Sequence, residues 1–144
     1  MEITANSFSL RGVSGLVKVV SDSTFDEESG SGNYSEDAEC DIIVESKGFR
    51  VNKVIILSMP GVASFLGELR GLTERREGRA TLSNAGNELS LSFICEGGRA
   101  SVECSINDSL AGNENSVRVK YPIEPEYFAA LKRELAKKPT SRFD

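Results

Sequence analysis

Glu88-Leu89-Ser90-Leu91-Ser92-Phe93-Ile94-Cys95-Glu96-Gly97-Gly98-Arg99-Ala100-Ser101-Val102-Glu103-Cys104-Ser105-Ile106 decides the fold, because its alternation can be checked for register. Leu89, Leu91, Phe93 and Cys95 alternate with mostly polar residues, and Ala100, Val102, Cys104 and Ile106 do the same beyond Gly97-Gly98. Period-two alternation marks half-buried strands, and a Gly-Gly dipeptide suits a two-residue hairpin turn. Closing that turn pairs Cys95 with Ala100, Phe93 with Val102, Leu91 with Cys104 and Leu89 with Ile106. The other face pairs Glu96 with Arg99 and Ser90 with Ser105. A one-residue slip would turn the whole apolar set to water, so the register is strongly specified.

The neighbouring segments extend the same face. A hairpin around Ala85-Gly86 is expected to oppose Leu82 to Leu89 and Ala80 to Leu91. A longer loop over residues 108–115 brings Val117 opposite Ile106, Val119 opposite Cys104 and Tyr121 opposite Val102. Together these make a C-terminal four-stranded antiparallel meander. Upstream, Cys40, Ile42 and Val44 lead into a turn at Lys47-Gly48, which sets Val44 against Val51 and Glu45 against Arg50. Apolar pairs then lie inside and opposite charges outside. Lys53 falls on the inner face near Ile42, a position that fits when its stem lies along apolar surface. Residues 8–10 and 16–20 read as two more strands, with Gly12 and Gly15 marking their turn.

Two helices are expected. Ser58 can cap the first, Pro60 is tolerated in its opening turn, and Val62, Phe65, Leu66, Leu69 and Leu72 form one stripe ending at Gly78. The second opens at Glu124-Pro125-Glu126, buries Tyr127, Phe128, Leu131 and Leu135, and closes with Lys137, Lys138 and Pro139. The fold class is therefore α+β: an antiparallel sheet of about seven to eight strands with two packed helices, in the order ββββ-α-ββββ-α. The 144 residues form a single domain, 1–144, with an exposed acidic loop at 21–39.

That loop holds the chain's charge imbalance. Of 22 acids and 17 bases, seven acids and no base fall between residues 21 and 39, which leaves 15 acids against 17 bases elsewhere. A stretch rich in Ser, Gly and acid repels itself and stays solvated. With a pI near 4.9, the sequence points to a basic partner and to no nucleic acid. No apolar run is long enough for a membrane helix, and the N-terminus lacks the basic cluster of a secretory signal, so no membrane partner is expected and the compartment is the cytoplasm. Three cysteines without CxxC spacing suit a reducing environment and look like inward-facing strand residues. The absence of histidine removes Ser-His and Cys-His catalysis and His-bound zinc, and no phosphate-loop motif is present. No cofactor, metal or catalytic residue is expected. Arg70, Arg75, Arg76 and Arg79, with Lys132, Arg133, Lys137 and Lys138, complement helix C-termini.

The succession resembles the WapI-type immunity proteins of bacterial polymorphic toxin systems. The resemblance is carried by Phe8-Ser9-Leu10-Arg11-Gly12, Leu16-Val17-Lys18-Val19-Val20, the acidic loop, Asp41-Ile42-Ile43-Val44, Phe65-Leu66-Gly67-Glu68-Leu69, Gly78-Arg79-Ala80-Thr81-Leu82, Glu88-Leu89-Ser90-Leu91-Ser92-Phe93 and Leu131-Lys132-Arg133-Glu134-Leu135. It implies a non-enzymatic cytoplasmic protein that binds and neutralises a cognate toxin C-terminal domain, often a nuclease. The partner-binding candidates are Asp22, Asp26, Glu27, Glu28, Tyr34, Glu36, Asp37 and Glu39, since an acidic surface can mimic phosphate and speed encounter with a basic protein. Phe25 and Tyr34 either anchor that interface or pin the loop to the domain. The alternatives are a regulatory or adaptor module with an acidic interaction loop, and an enzyme. The chain is expected to be a monomer or a weak dimer.

Overall fold

The hairpin at Gly97-Gly98 is observed in the expected register, pair for pair, from Glu96 opposite Arg99 to Leu89 opposite Ile106. Both turn glycines have positive φ, 60° and 81°, which the tight two-residue turn requires. The computed structural model describes residues 3–4, 6–22, 37–110 and 113–136. Its elements are β1 (Ser7–Arg11), β2 (Gly15–Ser21), β3 (Asp37–Ser46), β4 (Phe49–Ser58), α1 (Met59–Arg75), β5 (Gly78–Ser83), β6 (Leu89–Glu96), β7 (Arg99–Leu110), β8 (Asn113–Ile123) and α2 (Pro125–Ala136). The α+β order ββββ-α-ββββ-α is thus observed. The strands divide into two antiparallel sheets of four, β1-β2-β3-β4 and β5-β6-β7-β8, with α1 as the connection between them.

The inward faces and helix stripes meet in one core. Phe8 lies against Phe65 of α1 with ring centroids 5.8 Å apart, and Phe93 against Phe128 of α2 at 6.4 Å. The stripe of α1 is buried at Val62, Phe65, Leu69 and Leu72, while Leu66 is partly buried. Ser58 caps α1 as its composition predicts, its hydroxyl oxygen accepting from the Gly61 N–H at 3.2 Å. Cys40, Cys95 and Cys104 are buried free thiols.

Three expectations are corrected. Strand β5 pairs Leu82 with Leu91 and Ala80 with Phe93, two residues away from the expected register. The reason is Asn84: its side-chain oxygen accepts from the N–H groups of Glu88 and Leu89 at 2.8 and 3.0 Å, which builds a wider loop than a turn at Ala85-Gly86. Helix α1 stops before Gly78, because Arg76 takes the left-handed conformation (φ 61°) and its N–H bonds the Leu72 carbonyl. The expected bounds of the acidic loop, 21–39, also change at both ends. Ser21 is a buried end of β2 paired with Cys40, and Asp37, Ala38 and Glu39 already belong to β3.

Candidate nucleic-acid interface

In a four-stranded meander the β1–β2 and β3–β4 turns lie at the same end of the sheet. The pairing of Gly15 with Ser46 sets them side by side. Between them is a cleft of about 330 Å³, lined by Arg11 to Leu16 on one side and by Glu45 to Arg50 on the other.

Its first wall is held from below. The Gly12 N–H donates to the Gly15 carbonyl at 2.9 Å, closing the turn. A Cβ on Gly12 would stand 2.3 Å from the Pro122 carbonyl oxygen, and one on Gly15 2.3 Å from the Tyr121 ring, so only glycine lets this turn sit on β8. The buried Tyr121 hydroxyl donates to the Leu10 carbonyl. Burial pushes its ionisation upward, keeping the hydroxyl protonated as a donor. The second wall is a tight hairpin with Lys47 and Gly48 at φ 43° and 81°. Behind it, Arg50 pairs with Glu45 at 3.4 Å.

Arg11, Lys47 and Arg50 place three cations around the cleft against one acid, Glu45. Phe49 stands between two of them with 44% of its surface exposed. Cations of this kind meet phosphates, and an exposed ring beside them offers a stacking face to an unpaired base. The cleft contains no histidine or cysteine to act as base or nucleophile. Among the described residues, no group of three His, Cys, Asp or Glu side chains is placed to hold a metal ion.

Of the residues singled out in the sequence, the three that the structure describes lie elsewhere. Asp22, Asp37 and Glu39 are exposed at the opposite end of the same sheet, where the Asp22 N–H bonds the Glu39 carbonyl at 3.3 Å. Asp26, Glu27, Glu28, Tyr34 and Glu36, with Phe25, fall outside the described residues. Two of the helix-end arginines are structural. Arg70 donates to the Leu135 carbonyl at 2.8 Å, and the Arg76 guanidinium lies over the Phe128 ring, 5.2 Å from its centre.

Neither a family model nor a curated protein matches the chain. Its shape is similar to that of MRP1/MRP2 from Trypanosoma brucei, with 10% identity, a TM-score of 0.51, and coverage of 97% of this chain and 87% of that one. The plant transcriptional regulator PBF-2 matches with 12% identity and a TM-score of 0.48, covering 94% and 81% of the two chains. WHY1 from Arabidopsis thaliana matches with 14% identity and a TM-score of 0.49, covering 94% and 89%. At these identities the likeness is one of fold.

The expectation of no nucleic-acid partner is corrected: it rested on the charge of the whole chain, and the structure gathers Arg11, Lys47 and Arg50 at one cleft, apart from Asp22, Asp37 and Glu39. The physical reason lies in where the charge sits. Strand β2 separates the cleft at Gly15 from the acidic end at Ser21. Six residue steps of ~3.3 Å put about 20 Å between them. With a screening length of ~8 Å at physiological salt, the described acids at the far end, Asp22, Asp37 and Glu39, barely weaken the field in the cleft. A whole-chain pI hides that separation.

Proposed function

We propose that this chain binds nucleic acid, and that the cleft between the two turns receives an unpaired stretch of strand. The observation that carries the reading is that Arg11, Lys47 and Arg50 line one cleft together with the exposed Phe49 ring. The cations neutralise successive phosphates while the ring stacks one base. The reading places the protein in a reducing compartment such as the cytoplasm, where its three thiols stay unpaired.

The test is a fluorescence anisotropy titration with a labelled single-stranded oligonucleotide of roughly 16 nucleotides, the upper site size for a small single-strand-binding domain. The combined variant R11A/K47A/R50A is expected to bind at least tenfold more weakly with its unfolding temperature kept, since these side chains are exposed. Phe49→Ala is expected to weaken binding by ~5- to 150-fold, the range of one lost base stack. Wild-type affinity in the triple variant rejects this site. No binding by the wild type at low salt rejects the function.

A second reading has its own observation. Asp37, Glu39 and Asp41 alternate along β3 and are all exposed, so they form an acidic row next to the acid-rich residues that precede them. Such a row suits a basic protein, in line with the resemblance to toxin-neutralising immunity proteins. Co-expression with a toxin domain encoded beside this gene tests it. Cell survival supports the reading, and killing at an unchanged rate rejects it.

A further inference from the structure

Four strands end the two sheets, and three of them are protected. Strands β1 and β5 have only five and six residues. Strand β8 is longer but carries Pro122 and the exposed Arg118 and Lys120. Short edges, proline and outward charge are the devices that stop a sheet from recruiting another strand. Strand β4 has none of them along its middle. It runs ten residues without proline, in unbroken register with β3 from Asp37 opposite Ser58 to Ser46 opposite Phe49. Its lysine, Lys53, is partly buried and pairs with Glu88 at 3.6 Å. On its outer face Val54 and Ile56 are 54% and 48% exposed.

We infer that β4 pairs with β4 of a second copy of this chain, antiparallel about a two-fold axis at Ile55, joining two four-stranded sheets into one of eight. The strand's own sequence selects that register. An axis at Ile55 sets Val54 opposite Ile56 of the other copy, twice, and Asn52 opposite Ser58. An axis at Val54 would face Ile56 with Asn52, and one at Ile56 would face Val54 with Ser58, each leaving an apolar side chain against a polar one. The charges agree with the choice. Asp41 lies beside Val54 and Glu39 beside Ile56, so each cross-strand row reads acid, apolar, apolar, acid. Three strand spacings separate the acids of one row, about 14 Å at ~4.8 Å each, which exceeds the screening length of ~8 Å. Pairing covers two exposed β-branched side chains per copy and gives the backbone groups of an edge that no other described strand pairs a new partner, without bringing like charges together.

Cysteine cross-linking reads the register directly. Residues directly opposite have Cα atoms ~4.5–5.5 Å apart, within disulfide reach, whereas diagonal neighbours at ~7–8 Å lie beyond it. A mixture of V54C and I56C chains is expected to form at least ten times more disulfide-linked dimer than either variant alone. The native thiols do not interfere, because all three are buried. Sedimentation of the wild type is expected to show a concentration-dependent dimer, with V54K and I56K each raising its dissociation constant tenfold or more while the unfolding temperature of the dilute monomer is unchanged. A wild type that stays monomeric, lysine variants that leave assembly untouched, or equal cross-linking in the single-variant samples each overturns the inference.

Discussion

Tyr121 links the sheets at the point where the cleft is built. Its ring fills the space under Gly12 and Gly15, and its hydroxyl satisfies a carbonyl of β1. Gly15→Ala must displace either that ring or the turn, and overpacking of this kind costs ~1–3 kcal/mol. Tyr121→Phe leaves the Leu10 carbonyl without its donor, again at a cost of ~1–3 kcal/mol. Urea unfolding should show both losses, and an unchanged midpoint for either would mean that the turn is not seated on this residue. The buried thiols give a second expectation. Burial pushes Cys104 from 9.0 up to about 12, and it also raises Cys40 and Cys95. Above pH 9 the unfolded chain sheds a proton that the native state keeps, so stability falls as pH rises. For Cys104 the slope is about 1.4 kcal/mol per pH unit until its native value is reached. Urea midpoints should therefore be flat from pH 6 to 8 in respect of these groups and decline steeply above pH 9. The decline should be shallower in Cys104→Ala.

At the level of elements, what could be read from the sequence followed the strength of its register constraints. The β6–β7 hairpin offers four apolar pairs and two matched pairs on the opposite face, and only one pairing satisfies all of them. The β3–β4 hairpin is fixed in the same way by Val44 with Val51 and Glu45 with Arg50. Between β5 and β6 a shift of two residues keeps every side chain on its proper face, so alternation alone does not choose. Asn84 makes the choice by binding two backbone N–H groups, a contact that sequence spacing does not reveal. Asn84→Ala is expected to cost ~1–3 kcal/mol through those unpaired donors. Ser58→Ala, which removes the α1 cap, should cost ~1 kcal/mol. Denaturant midpoints compare the two, and the order is contradicted if the cap variant proves the weaker by a clear margin.

Across the whole molecule, the cleft was legible only in parts. The turns at Gly12–Gly15 and Lys47–Gly48 were each marked by glycine, and a meander places such turns at one end of a sheet. Their contact depends on β2 pairing with β3, a partnership that spans the acid-rich stretch and has no short-range signal. Nor does alternation show where one sheet stops and the next begins, which is set here by α1 standing between β4 and β5. The net charge of −5 pointed away from nucleic acid because a sum carries no positions. The cleft collects Arg11, Lys47 and Arg50 at the end of the sheet remote from Asp22 and Asp37. The most direct measurement is the salt dependence of oligonucleotide affinity. Three phosphate contacts on a single strand predict a slope of about −2 in log affinity against log salt, and Lys47→Ala should reduce it by ~0.7. An affinity indifferent to salt, or a slope that stays the same when each of the three cations is removed, contradicts the account.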